Sequence, residues 1–304
     1  MHAQPNALGL DAHIMACWAE AADYDAIILL EDDTLVAPGF IHQALAAIEA
    51  FGADPSCAAI ALHHFVRNET DLQAAFLPLS YRGWFRMQYP SSRGEVLTHQ
   101  QWRRFQAWRP SEYARQGQAD PRLPPRVAAW PLANWERPFL QYILDQQAYV
   151  AFPARATVTM FGELGDHVRY QADYHAFHSR LDMETHAAPG PKADELKYMP
   201  FYDPYFELHP DYFKRFNPRL EAFDFDVDLY GLKPGAAITQ PYLLSRKFCS
   251  HPLHQFTGSM LPHEAGPILD VYGEELSLGK AHDFSTLPRA RPTWKQRIRK
   301  WISS

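Results

Sequence analysis

The sequence predicts an α/β fold, with a mostly parallel sheet that is shortened at its N-terminal side and a small β-rich C-terminal extension. Two observations carry this prediction. In residues 1–65, a helix, an aliphatic strand, an acidic loop, a second helix and a second strand follow one another, which is the order of a parallel βαβ unit. In residues 222–288, short alternating runs lie between turn signals, a pattern typical of a small sheet.

Hydrophobic periodicity predicts the N-terminal elements. Apolar residues recur at helical spacing over residues 9–22, so this stretch is predicted to be an amphipathic helix. Residues 25–30 are apolar on both sides, as in a strand buried within a parallel sheet. The next helix is predicted over residues 38–51, with Gly52 as its C-cap, and the next strand over residues 57–62.

The rest of the chain divides by composition. Residues 66–130 are rich in aromatic residues, Arg and Pro, and one helix is predicted there, over residues 98–108. Its Trp102, Phe105 and Trp108 are spaced three apart and are expected to be core residues. The later predictions are a helix at 135–147, strands at 149–152 and 157–161, the end of the core at 185, an irregular Pro/Tyr-rich connection at 186–221, the β-rich extension at 222–288 and a basic amphipathic tail at 289–304.

Composition excludes several classes of function. The chain of 304 residues is long enough for one large domain or two modest ones. A net charge of -6 argues against nucleic acid as the main partner, because phosphate binding favours a basic surface. The 3 cysteines have no C-x-x-C spacing, so neither a zinc ribbon nor a disulfide framework is indicated.

Three acidic residues, Glu31, Asp32 and Asp33, directly follow the first aliphatic strand. Open α/β sheets bind ligands beyond the carboxyl ends of their strands. Several carboxylates converging there favour Mg²⁺ or Mn²⁺, which take oxygen ligands and keep positions open for phosphate. The alternative is that these acids cap the helix predicted from Pro38, since acidic residues favour helix N-termini.

This acidic stretch reads LLEDDTLVAPGF. It resembles the metal-binding loop of GT-A-fold glycosyltransferases, in the EDD form of N-acetylglucosaminyltransferase I and bacterial family-2-like relatives. The resemblance implies a GT-A-like (Rossmann-like) sheet and a Mn²⁺ or Mg²⁺ cofactor. It also implies that Asp33 ligates the metal, that Asp32 contacts the nucleotide sugar and that Glu31 lies nearer the sugar.

Two later segments resemble the same family, in the same order. Residues 89–108 read YPSSRGEVLTHQQWRRFQAW and are similar to the acceptor-side turn and helix, which implies substrate contacts for Arg93 and Gly94. Arg93 stands where relatives carry an aromatic residue. Residues 132–168 are similar to the catalytic-base helix, a strand pair and a Gly-rich turn, which implies substrate contact by Trp135 and metal binding by His167. A surface-turn histidine is the alternative for His167, and Asp166 is a weaker candidate.

The catalytic base departs from the family pattern. Inverting transfer needs a carboxylate that takes the proton of the acceptor hydroxyl as this group attacks. The position most similar to the relatives' aspartate is Asn134, which cannot act as a base, and Glu136 lies two residues later. We predict Glu136 as the base and Glu95, in the small-residue loop, as the second candidate. The alternative for Glu136 is an ordinary acidic residue in the first turn of a helix.

The resemblance implies a metal-dependent glycosyltransferase that moves a sugar from a nucleotide-sugar donor to a hydroxyl of a glycan or lipid-linked acceptor, with inversion. The alternative is a non-catalytic, transferase-like protein that binds glycans or serves as a scaffold. No apolar run approaches the ~18 residues of a membrane span and no signal peptide is recognised, so a cytoplasmic location is predicted. The basic tail with Trp294 and Trp301 predicts peripheral contact with an anionic membrane or, alternatively, is simply solvated.

The acidic residues come early in the chain. Only 24 residues precede the strand that begins at Asp25, whereas a βαβ unit takes about 30 residues. In the resembled family, strands that bind the base and ribose precede the acidic loop, and residues 6–21 here resemble the helix immediately before the metal strand. The expectation is that the opening strands lie upstream or are lost. The strand at residues 25–30 would then lie at an exposed sheet edge, and nucleotide binding would be weak.

Overall fold

The computed structural model describes the chain in seven stretches, and the chain divides into two compact units. The described residues are 8–70, 74–113, 120–131, 134–160, 178–185, 190–257 and 275–284. The first unit is Met1–Tyr212 and the second is Phe213–Ser304. The division falls inside the segment predicted as a connection, residues 186–221.

The first unit contains a six-stranded sheet and a two-stranded ribbon. Its strands are β1 Ala26–Leu29, β2 Thr34–Val36, β3 Cys57–Ala61, β4 Trp84–Met87, β5 Glu95–Thr98, β6 Tyr149–Pro153, β7 Val158–Met160 and β8 Phe201–Tyr202. The sheet has the order β1-β5-β3-β6-β4-β8, and β2 pairs with β7. Strands β1, β3 and β6 run parallel to one another, because β5 is antiparallel to both β1 and β3 while β3 is parallel to β6. The α/β class is therefore confirmed.

Strand β1 is the last strand of this sheet within the described residues, which is the edge position expected for it. Only β5 pairs with it there. The acidic turn therefore extends from an edge strand. Strands β4 and β8 run opposite to β6, so these two strands and β5 have the reverse direction to β1, β3 and β6.

Strands β4 and β5 correct the prediction for residues 66–130, where only a helix was expected. Each strand has 4 residues and neighbours on both sides in the sheet. Strands enclosed in this way do not show the apolar–polar alternation that marks a half-exposed strand. Glu95 therefore lies on a strand, and its predicted position in a loop was wrong.

Among the described residues, six α-helices have the following bounds: α1 Leu10–Ala19, α2 Phe40–Phe51, α3 His99–Tyr113, α4 Pro125–Ala128, α5 Glu136–Asp145 and α6 Pro210–Phe216. The four predicted helices correspond to α1, α2, α3 and α5. Helix α2 packs its buried Ala44, Ala47 and Phe51 against β3 and β5, including Val96. Successive side chains of a strand alternate between the two faces of a sheet, so Glu95 points away from the face of Val96 that contacts α2.

An aromatic cluster joins α1, α3 and α5. Trp18 is fully buried and its ring lies 6.3 Å from Trp102, 5.7 Å from Phe105 and 4.9 Å from Phe139, measured between centroids. All three pairs are edge-to-face, the arrangement that aromatic quadrupoles favour. Trp102, Phe105 and Trp108 are buried, which confirms the prediction that they are core residues.

The second unit contains the predicted β-rich extension. Its strands are β9 Phe225–Asp228, β10 Tyr242–Ser245, β11 His254–Thr257 and β12 Glu275–Lys280, in the order β11-β12-β10-β9. The β9–β10 pair is parallel, and the β10–β12 and β11–β12 pairs are antiparallel. The Lys247 ammonium lies 2.7 Å from the fully buried Asp228 carboxylate, so the buried charge is paired.

Across the described ranges, no helix has the length and apolar character that a membrane crossing requires. The predicted tail at residues 289–304 lies outside these ranges. Its expected membrane contact therefore stays a prediction.

Candidate active site

The acidic turn links the edge strand β1 to the ribbon formed by β2 and β7. The Thr34 N–H donates to the Glu31 carbonyl over 3.2 Å, which closes the turn. Thr34 pairs with Met160 of β7, so the ribbon holds the turn at one of its ends. Glu31 and Asp33 are partly buried and Asp32 is exposed. Helix α2 begins at Phe40, after Gly39, without a hydrogen bond from a capping side chain, so the alternative that the acids cap this helix is wrong.

Asp33 has the properties expected of a cation ligand. Its Oδ1 atom is buried and has no hydrogen-bond partner among the described residues, although a buried carboxylate oxygen normally has one. No group of three or more His, Cys, Asp and Glu residues that could hold a metal occurs in the described part of the chain, and His167 and Asp166 lie outside it. Mg²⁺ is commonly held by one or two carboxylates together with substrate phosphates. Asp33 therefore fits such an ion.

A tight turn before β5 positions Arg93. Gly94 has a φ of +60°, a conformation that residues with a side chain rarely adopt. A Cβ atom at Gly94 would lie 2.9 Å from carbon atoms of Val158, which belongs to β7. Glycine at this position therefore lets the turn approach the ribbon closely. The predicted substrate contact of Gly94 stays a prediction, while its structural role is defined.

The start of helix α5 is fixed by two side chains. The Asn134 Oδ1 atom accepts the backbone N–H groups of Glu136 over 2.9 Å and of Arg137 over 3.3 Å, so Asn134 caps the helix. The Trp135 N–H donates to the Asp11 carboxylate of α1 over 3.0 Å. These bonds hold Glu136 in the first turn of the helix. Asn134 thus has a structural function where the resembled family carries an aspartate.

Glu136 lies in an environment that suits a base. Its side chain is partly buried, and burial raises its pKa to about 7 despite the opposing Arg93 guanidinium. The carboxylates of Glu69 and Glu31 raise the pKa further. A general base works best when its pKa is near the working pH. The charge of the Glu31 carboxylate raises the pKa of Glu136, so the acidic turn and the start of α5 belong to one electrostatic cluster.

Arg93 is the central cation of this cluster. Its guanidinium lowers the pKa of Glu31, Glu69 and Glu136, while burial raises the pKa of all three. After burial, the Asp33 carboxylate is the next largest cause of the raised pKa of Glu31. Three carboxylates around one guanidinium would strongly repel one another without it. Arg93 therefore lets several acids share a small region.

Glu95 is coupled electrostatically to this cluster through Glu136. Its side chain has 0% exposure, and neither carboxylate oxygen has a hydrogen-bond partner within the described stretches. Burial raises its pKa well above the ordinary value, and the charge of Glu136 adds to the rise. Burial and the charge of Glu136 both favour the protonated form of Glu95, and its side chain is closed to an acceptor, which argues against its predicted role as a base.

Trp135 is part of the core. Its ring is 4% exposed and lies 4.9 Å from the ring of Trp18 in an edge-to-face contact. A side chain that stacks on a substrate needs an exposed face, and Trp135 presents almost none. Through the contact of Trp135 with Trp18, the start of α5 packs against α1.

Four residues that the sequence did not indicate belong to the same electrostatic cluster as Glu136. They are Asp11, Glu69, Tyr89 and Arg126, which are electrostatically coupled to Glu136 or to each other. Arg126 donates to the Glu69 carbonyl over 3.0 Å and lies 3.9 Å from its carboxylate. No motif or periodicity marks these positions, because each belongs to a different segment and only the fold brings them together.

The arrangement offers a buried carboxylate oxygen at Asp33, the guanidinium of Arg93 and a carboxyl group with a pKa of about 7 at Glu136. Comparison with models of known protein families finds no match for this chain, and comparison with curated proteins also finds none. The likeness to glycosyltransferases therefore depends on the sequence motifs alone.

Proposed function

We propose that this protein is a metal-dependent glycosyltransferase that moves a sugar from a nucleotide-sugar donor to a hydroxyl of a glycan or lipid-linked acceptor, with inversion. The observation that carries the proposal is the position of Glu136. This residue has a pKa of about 7 and lies within the field of Glu31, which belongs to the acidic turn. A proton acceptor next to a carboxylate-rich turn at the end of a strand is the combination that such a transfer needs.

The residues divide the chemistry between them. Glu136 takes the proton of the acceptor hydroxyl while the hydroxyl oxygen attacks the anomeric carbon and the bond to the nucleoside diphosphate breaks. Asp33 would hold a Mg²⁺ or Mn²⁺ ion, which neutralises charge on the departing diphosphate when it is bound. The Arg93 guanidinium lowers the pKa of both Glu136 and Glu31 and so favours their ionised forms. Asp32, exposed on the turn, is free to contact the donor.

A screen of nucleotide sugars tests this proposal. The protein is incubated with Mn²⁺ and each donor, and release of the nucleoside diphosphate is measured with and without a mixture of saccharide acceptors. Thermal unfolding is followed in parallel with uridine or guanosine diphosphate and Mn²⁺. A ligand at 100 times its Kd stabilises the folded state by about 2.7 kcal/mol.

The two readouts separate the transferase from a binding protein. Donor turnover that depends on Mn²⁺ and on Glu136 would support the proposal. Absence of nucleotide stabilisation and of turnover with every donor would contradict it. Binding of glycans without either effect would favour the non-catalytic alternative, in which Asn134 replaces the base of a former enzyme.

A further inference from the structure

A cavity of about 430 Å³ lies in the first unit, beside the start of helix α2. Its polar lining includes Gln43, Arg82, Arg155, Thr157, Asp182 and Glu184. None of these residues belongs to the cluster around Glu136. The cavity therefore needs an explanation of its own.

A two-residue hairpin loop forms one wall. Tyr81 and Trp84 exchange backbone hydrogen bonds of 2.8 and 3.0 Å, and the residues between them, Arg82 and Gly83, have φ values of 50° and 78°. Positive φ at both central positions is the geometry of a type I′ turn. A positive φ is uncommon for a residue with a side chain. At Arg82 this backbone conformation sets the direction in which the side chain leaves the loop.

The opposite wall packs closely against helix α2. A Cβ atom at Gly39 would lie 2.3 Å from the Glu184 carbonyl oxygen, so only glycine permits this approach. Within the cavity, the Gln43 Nε2 atom donates to the Arg155 carbonyl over 3.2 Å, and the Thr157 hydroxyl donates to Gln43 Oε1. The walls are thus tied together by contacts between distant parts of the chain.

The lining holds two guanidinium groups, of Arg82 and Arg155, and two acidic residues, Asp182 and Glu184. Arg155 lies 3.7 Å from Asp182, and Arg82 pairs at 2.8 Å with Glu195, which lies outside the lining. The side chains of Arg82 and Arg155 are nevertheless 50% and 76% exposed, so their guanidinium groups keep donors that face water. A phosphate would need an excess of positive charge, and an ammonium group an excess of negative charge. A balanced surface of donors and acceptors suits a neutral polyol.

The ribbon of β2 and β7 connects the cavity to the acidic turn. At one end Thr34, next to Asp33, pairs with Met160; at the other end the Ala37 N–H donates to Thr157 of the cavity over 2.8 Å. At about 3.3 Å per residue, the ribbon places these ends about 10 Å apart. That span is similar to the length of two linked sugar rings.

We propose that this cavity binds a neutral saccharide unit of the acceptor, two or three sugars away from the hydroxyl that reacts. The inference rests on the proposed transfer, because it takes the acidic turn as the reacting end. The cavity would select acceptors by length and charge while Glu136 performs the chemistry. Acceptors too short to reach the cavity would react with a higher KM.

Direct binding tests the cavity without donor or metal. Saturation-transfer NMR is performed with neutral trisaccharides of glucose, galactose, mannose and N-acetylglucosamine, and with inorganic pyrophosphate as a charged comparison. Ser80 is exposed and lines the cavity, so Ser80→Trp should fill the space without disturbing the core. Ser56→Trp, at an exposed position outside the cavity, is the matched control.

We expect at least one trisaccharide to bind, Ser80→Trp to weaken it 10-fold or more, and Ser56→Trp to leave it unchanged. Asp182→Asn provides a second variant, which leaves Arg155 without its carboxylate and should shift preference toward a trisaccharide that carries a uronic acid. The inference is wrong if no trisaccharide binds, or if Ser80→Trp binds the trisaccharide as tightly as the native protein does. It is also wrong if the native protein binds pyrophosphate and Ser80→Trp loses that binding instead. Transfer without cavity binding would refute this inference alone, whereas cavity binding without any transfer would refute the proposed function.

Discussion

Glu136→Gln is the substitution that most directly tests the electrostatic cluster. Glutamine has the shape of glutamate but cannot take a proton, so the acceptor hydroxyl loses its base. Removal of a general base commonly costs a factor of about 10² to 10⁴ in rate. Donor affinity should be retained, since the base acts only as the hydroxyl attacks.

The same substitution should stabilise the protein at alkaline pH. A carboxyl whose pKa is raised by folding favours the folded state in its protonated form. Its stabilising effect is complete below the unfolded pKa and is lost as the pH rises through the folded pKa. The rise for Glu136 is from 4.5 to about 7. At 1.36 kcal/mol per pH unit this is at most about 3 kcal/mol, and the partial exposure of the side chain reduces it to about 2.

The assay is thermal unfolding of the native protein and of Glu136→Gln at pH 4.5 and pH 8. The variant should equal the native protein at pH 4.5 and exceed it at pH 8 by about 4 °C or more, because 1 kcal/mol moves the Tm of a domain of this size by about 2–4 °C. Glu49→Gln, an exposed position in α2, is the control and should change neither transfer nor Tm. Unaltered transfer by Glu136→Gln, or a variant that is less stable at pH 8, would refute the reasoning.

Three further predictions concern neighbouring residues. Asp33→Asn should abolish the stabilisation by Mn²⁺ while leaving the Tm without metal unchanged, and an unchanged Mn²⁺ titration would show that the ion binds elsewhere. Glu95→Gln should leave transfer intact and make stability less sensitive to rising pH, because burial raises the pKa of Glu95 and the substitution removes this titrating group; loss of transfer would restore Glu95 as a candidate base. Gly94→Ala should lower stability by about 2 kcal/mol or more, since φ is +60° and the added Cβ meets Val158 at 2.9 Å. Gly83→Ala, with a φ of +78° but no atom within 4 Å, should cost about 1 kcal/mol, and equal losses in chemical denaturation would contradict the steric explanation for Gly94.

The sequence by itself determined the elements whose signal is local. The apolar run before Glu31, the helical spacing of α2 and the start of α5 are each encoded within a few consecutive residues. Periodicity reports which face of a segment is buried, and that information needs no knowledge of the partner. The acidic turn at the end of β1 and the position of Glu136 on the first turn of α5 could therefore be predicted.

Only the tertiary structure decided what surrounds these residues. Glu95 is separated from Glu136 by 41 positions and Glu69 by 67 in the numbering of the chain, yet all three interact electrostatically with the cluster. Strand β5 lies between β1 and β3, and this enclosure turns a predicted loop glutamate into a buried acid. Trp135 is likewise a core residue because α1 supplies Trp18 against it. Such contacts depend on packing between segments that are distant in the chain. No single segment carries a sequence pattern that reports them.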